Sequence, residues 1–144
     1  MVYVFIALGL AIVVAPLLSA MPSKKQRRQA ALRDYARGLG VRVSMRPVPE
    51  VPARFRFSPS RELICYEQWL AAPYQRAGAP RRYVFAGGKW QPMTGVDPCP
   101  DWLLNLPAGA LVAERSEKSI SIFWDESDDA DGLEKIREVI DLID

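Results

Sequence analysis

The chain has 144 residues, 49% of them hydrophobic and 25% charged, with a formal net charge of +2. That balance belongs to a folded protein and excludes both intrinsic disorder and a polybasic nucleic-acid binder. The absence of histidine excludes His-based triads and His-ligated metals, and 2 cysteines are too few for a structural zinc site or a disulfide framework.

The small net charge is the remainder of unlike zones. Residues 1–21 carry no charged side chain. From Lys24 to Arg46 eight basic residues face Asp34 alone, a balance of +7, and from Glu114 to Asp144 eleven acids face four bases, a balance of −7.

As a helix rising about 1.5 Å per residue, the uncharged stretch is about 31 Å long and matches a hydrocarbon core of about 30 Å. It reads as one transmembrane helix, in which Pro16 is tolerated because neighbouring groups take up the freed carbonyl. A cleaved secretory signal is the competing reading. It needs a basic start, a shorter apolar run and a small-residue cleavage site, whereas this chain starts Met1-Val2-Tyr3 and follows Leu18-Ser19-Ala20 with a dense basic cluster. A core helix is disfavoured because the stretch has no polar face. All flanking positive charges lie on the C-terminal side, so the N-terminus is expected outside and residues 22–144 in the cytoplasm of a bacterial inner membrane. In that reducing compartment Cys65 and Cys99 are expected as free thiols.

Residues 22–40 predict a basic juxtamembrane helix. Ser23 with Gln26 has capping-box spacing, Leu32, Tyr35, Ala36 and Leu39 recur at helical intervals, and Gly38 and Gly40 supply the stop. Lys24, Lys25, Arg27 and Arg28 then have two readings. They set topology, or they hold the helix against anionic lipid headgroups at about 1 kcal/mol each. Nucleic-acid binding is not expected, since no aromatic platform is interleaved with these charges.

The run Pro22-Ser-Lys-Lys-Gln-Arg-Arg-Gln-Ala-Ala-Leu-Arg-Asp-Tyr-Ala-Arg-Gly-Leu-Gly-Val-Arg-Val43, placed directly after an uncharged span, resembles the YajC family of small accessory subunits of the bacterial Sec preprotein translocase. The resemblance covers residues 1 to about 43. It implies an N-out single span, a short helix, a small β-rich cytoplasmic domain and a role assisting the translocase.

Residues 41–144 predict an α+β domain. Val41, Val43 and Met45 alternate with Arg42, Ser44 and Arg46, marking a half-buried strand that Pro47, Pro49 and Pro52 end. Arg54-Phe55-Arg56-Phe57 is too closely bounded by prolines for a central strand. Leu63–Leu70 is the second strand, with Cys65 as a small core residue. Arg82–Ala86 and Lys89–Gln91 flank Gly87-Gly88 as a hairpin, and Leu111–Arg115 with Ser119–Trp124 forms another around Ser116-Glu117-Lys118. Leu133, Ile136, Val139, Ile140 and Ile143 line one side of a C-terminal amphipathic helix starting at Asp131 or Gly132, where Asp131 and Glu134 form a capping pair. Helices covering one face of a small, mostly antiparallel sheet are the expected architecture.

Three places invite chemistry. Ser127, Asp129, Asp131, Gly132 and Glu138 fall on the first, third, fifth, sixth and twelfth places of a calcium loop, while the helical pattern from Leu133 and the helix dipole explain the same acids as capping and solubility. Cys65 and Cys99 lack any histidine to activate them, and Cys99, in a turn between two prolines, is expected to be exposed. In the long loop Gln91–Gly109, Trp102, Leu103, Leu104 and Leu106 together with Trp90 form a groove for a partner, or Trp102, Leu103 and Leu104 lid the core. No cofactor site is read. The expected function is non-enzymatic: a membrane-anchored protein binding a membrane protein partner and anionic headgroups, with a cation-regulated or cysteine-dependent module as the alternative.

Overall fold

The computed structural model describes residues 1–71 and 79–143, the side chain of Asp129 excepted. The protein is α+β. Helix α1 (Val2–Ser19) is long and apolar enough to cross a membrane, contains Pro16 and buries none of its residues against the rest of the chain. Helix α2 (Lys24–Gly38) starts on a complete capping box: the Gln26 amide donates to Ser23 Oγ at 3.2 Å, and the Ser23 amide donates to Gln26 Oε1 at 2.8 Å. Its last helical residue is Gly38, and Gly40, two residues on, has a φ of +85° that lets the Val41 amide reach back to the Ala36 carbonyl.

Among the described residues six strands follow: β1 (Arg42–Ser44), β2 (Ile64–Trp69), β3 (Arg81–Ala86), β4 (Lys89–Pro92), β5 (Ala110–Arg115) and β6 (Ser119–Trp124). They form one antiparallel sheet in the order β1-β2-β6-β5-β3-β4. Every residue of β6 is buried, as a central strand covered on both faces requires. Gly87 and Gly88 both have positive φ, the geometry of the two-residue hairpin turn expected there. The last helix, α3 (Asp129–Ile143), starts two residues earlier than its apolar periodicity suggests, so Asp131 lies inside the first turn rather than capping it.

Alternation along the strands separates two cores. Ile64, Tyr66, Ile120, Ile122 and Trp124 face Leu32 and Ala36 of α2 and Leu133, Ile136, Val139 and Ile140 of α3. Cys65, Val84, Val112 and Phe123 face the other way, against Val48, Val51, Phe55 and Phe57. The proline-bounded segment after β1 is therefore a strap over the second sheet face, with a 3-10 turn at Ala53–Phe55. Arg54 pins it by donating to the Met93 carbonyl at 2.8 Å. Beside the strap, Arg46 bridges Glu67 (3.7 Å) and Glu114 (3.2 Å), and Arg82 closes on Glu114 at 2.5 Å. Two cations and two carboxylates thus compensate one another across four strands and the end of the strap.

Candidate functional site

The element leaving the apolar helix is locked onto the sheet by one buried ionic contact. Leu32 and Ala36 bury the inner face of α2, which brings Arg33 over the β6–α3 connection. There Glu126 adopts φ +58°, the left-handed region, and its side chain is almost fully buried. Arg33 Nε and Nη2 donate to Glu126 Oε1 and Oε2, both at 2.8 Å, and Tyr66 Oη donates to Oε1 at 2.7 Å. A bidentate guanidinium plus a phenol is the arrangement that makes a buried carboxylate tolerable. Burial, then the bond to Glu126, pushes the Tyr66 hydroxyl far above its ordinary range. The bond to Glu126 also raises Arg33 against the opposing effect of its own burial. On the outer side, Tyr35 Oη donates to Glu134 Oε1 at 2.9 Å, adding a second tie between α2 and α3.

This clamp forms the wall of a cleft of about 240 Å³ lined by Lys24, Lys25, Arg28, Gln29, Arg61, Asp125, Glu126 and Ser127. The basic cluster that sequence treats as one group is divided here. Lys24, Lys25 and Arg28 line the cleft and Arg27 does not. Arg61, from the connection into β2, completes the basic lining, and no spacing in the sequence announces it. Neither does any spacing announce the Arg33–Glu126 pair, whose members are 93 residues apart.

The aromatic loop divides as well. Trp102 and Leu103 are 7% and 1% exposed and belong to the main core, where Trp102 stands edge-to-face on Tyr83 at 6.1 Å. They lid the core, the second of the two arrangements expected for this loop. Trp90 and Leu106 are half-buried, with Trp90 edge-on to Phe85 at 5.6 Å. The outward residue is Leu104, 77% exposed in a 3-10 turn (Asp101–Asn105) that buries its neighbours Trp102 and Leu103. Leu104 and Leu106 border two hollows. One, of about 300 Å³, runs along Phe85, Trp90 and Leu111, and the other, of about 520 Å³, runs along Val139 and the exposed Leu142. Leu104 is one of the loop leucines that the sequence offers for a groove or a lid, and its exposure sets it apart from Trp102 and Leu103; Leu142 escapes sequence reading because periodicity marks it as one more apolar residue near a core stripe.

The calcium-loop arrangement is not adopted. Residues 129–143 are helical, so Asp131 and Glu138 are separated by about 10 Å along α3 instead of converging. Asp129 has its side chain outside the described residues, and no group of three or more Cys, Asp or Glu among the described residues is placed to hold a metal ion. Cys65 is buried and Cys99 half-buried, against the exposure expected for it, with Cys99 Sγ 3.4 Å from the Trp90 carbonyl oxygen. Burial pushes both thiols up, away from the thiolate a nucleophile needs. Comparison of the chain with protein-family models, with curated proteins and with solved structures found no match.

Proposed function

We propose that this chain is a non-enzymatic, single-span protein of a bacterial inner membrane, N-terminus outside, whose cytoplasmic domain binds a membrane protein partner while its basic collar meets anionic headgroups. The observation that carries the reading is the pairing of a wholly unburied apolar helix with a domain clamped to the very next element. An unburied apolar helix of 18 residues calls for a lipid environment, and the Arg33–Glu126 lock makes α2 part of the folded domain rather than a loose tether. The domain is then held close to the bilayer, as an accessory of a membrane complex requires, and the resemblance over residues 1–43 makes the preprotein translocase the first complex to test.

The partner surface is assigned to the ridge at Leu104 with Leu142 and Phe85, large apolar side chains exposed around two hollows. A photo-crosslinking amino acid at position 104, in cells, should capture one membrane protein that the same group at Lys118 does not. Capture of lipid alone, or of the same products from both positions, defeats the partner reading.

A further inference from the structure

We propose that the cleft between the start of α2 and the β6–α3 connection is a binding site for the phosphate of an anionic phospholipid headgroup. The inference rests on the membrane-anchored reading and adds the site, its ligand and a residue far outside the basic collar.

Charge is the first argument. Lys24, Lys25, Arg28 and Arg61 line the cleft. Of the two carboxylates present, Glu126 is engaged by Arg33 and Tyr66 on its inner side, and Asp125 Oδ1 accepts the Ser127 amide at 2.9 Å. Arg28 has an interaction of its own, and Lys24, Lys25 and Arg61 still outnumber Asp125, the carboxylate of the lining that Arg33 does not engage. The second argument is helix physics. The first turn of α2 contains no acidic residue and begins Lys24-Lys25, which puts cations at the positive end of the dipole, against the usual preference. An anion seated among them relieves that repulsion and interacts favourably with the dipole. Position is the third. Only residues 20–23 separate α1 from α2, so Lys24 lies no more than about 17 Å from the end of the span, at a depth where long basic side chains meet headgroups. A cleft built from two distant segments also differs from a bare row of charges, because it selects among cations that sequence alone treats alike.

The test uses the full chain in nonionic detergent with equal amounts of phosphatidylglycerol and phosphatidylcholine, read by native mass spectrometry as the fraction of protein carrying each lipid. Phosphatidylglycerol should be retained preferentially. Arg61→Gln should lower that retention about fivefold, the factor equivalent to about 1 kcal/mol for one cation at an anionic lipid surface. Arg61→Lys should restore most of it, and Arg27→Gln, at a collar residue outside the cleft, should lower it less than Arg61→Gln does. Equal losses from Arg61→Gln and Arg27→Gln, or no preference for the anionic lipid, overturn the site. Displacement by millimolar inorganic phosphate with no dependence on the diacyl chains also overturns it, by assigning the cleft to a soluble anion. Arg61 is an exposed loop residue, so its replacement spares the fold, and Lys25→Gln provides a second variant expected to behave like Arg61→Gln. Flotation of the wild-type chain with vesicles separates the two levels: a chain that floats but shows no lipid preference fails this inference alone, and one that does not float fails the anchored reading.

Discussion

Glu126 is a buried carboxylate whose loss of partners is costly. Its carboxylate is buried and answered by Arg33 and Tyr66, so removing the guanidinium leaves an uncompensated interior charge. Arg33→Ala should cost about 3 kcal/mol in urea unfolding, the lower part of the range for breaking a buried pair because Arg33 keeps some exposure. Adding Glu126→Gln should recover about 1 kcal/mol or more of that loss, a coupling that distant sites do not show. The same cluster sets an alkaline limit. The folded Tyr66 hydroxyl holds its proton above the ordinary value of 10.0, so its contribution is complete below pH 10 and is lost as pH rises toward the folded value, because the unfolded chain ionises first. Cys65, raised from 9.0 by burial, starts a smaller decline about one pH unit earlier. Tyr66→Phe should flatten the fall in stability above pH 10, measured as unfolding midpoints from pH 8 to 11; an unchanged slope removes Tyr66 from the account. None of this is legible residue by residue, since Arg33 reads as one of eight collar cations and Glu126 as one of a run of acids.

Elements were far easier to read, and the reasons are local. The Ser23–Gln26 box, the paired glycines of the β3–β4 turn and the alternation of Ile120, Ile122 and Trp124 act within a few residues, where sequence spacing is also spatial spacing. The strap was not anticipated as a layer, because residues 47–57 are neither helix nor strand and their burial depends on the sheet they cross. The start of α3 shows how packing reverses a local preference. In an exposed helix Gly132→Ala gains about 1 kcal/mol. A Cβ at Gly132 would instead drive into the Trp124 ring, which is fully buried and pinned by its Nε1–H donating to the Ala108 carbonyl at 3.1 Å. We expect Gly132→Ala to destabilise the chain by about 1–3 kcal/mol in urea unfolding, the cost of overpacking. A stabilised variant would show that α3 can shift off Trp124.

At the scale of the whole molecule the charge gradient becomes an arrangement in space. The +7 collar follows the apolar helix directly, while the acidic final zone supplies both Glu126, which folds back onto α2, and the C-terminal helix. The basic cleft sits at the entry to α3 and the larger Leu104 hollow along its second half, so the two candidate surfaces are separated along one helix of about 22 Å. Lipid and protein can then be engaged together without competing. For the proposed topology, alkaline phosphatase fused after Asp144 should be inactive and a fluorescent protein at the same position should fluoresce. The reverse pattern would invert the orientation drawn from the flanking charges.

The sequence by itself determined the uncharged helix, the capped basic helix after it, the strands and the α+β class, because composition and short-range periodicity act over a few residues. Tertiary structure alone decided which residues face outward to meet something. It turned Trp102 and Leu103 inward and Leu104 outward, drew Arg61 to Lys24, Lys25 and Arg28 while leaving Arg27 aside, and joined Arg33 to Glu126. Each of these outcomes depends on segments that meet only after the sheet has formed. Identical residue types in one run therefore end with different neighbours.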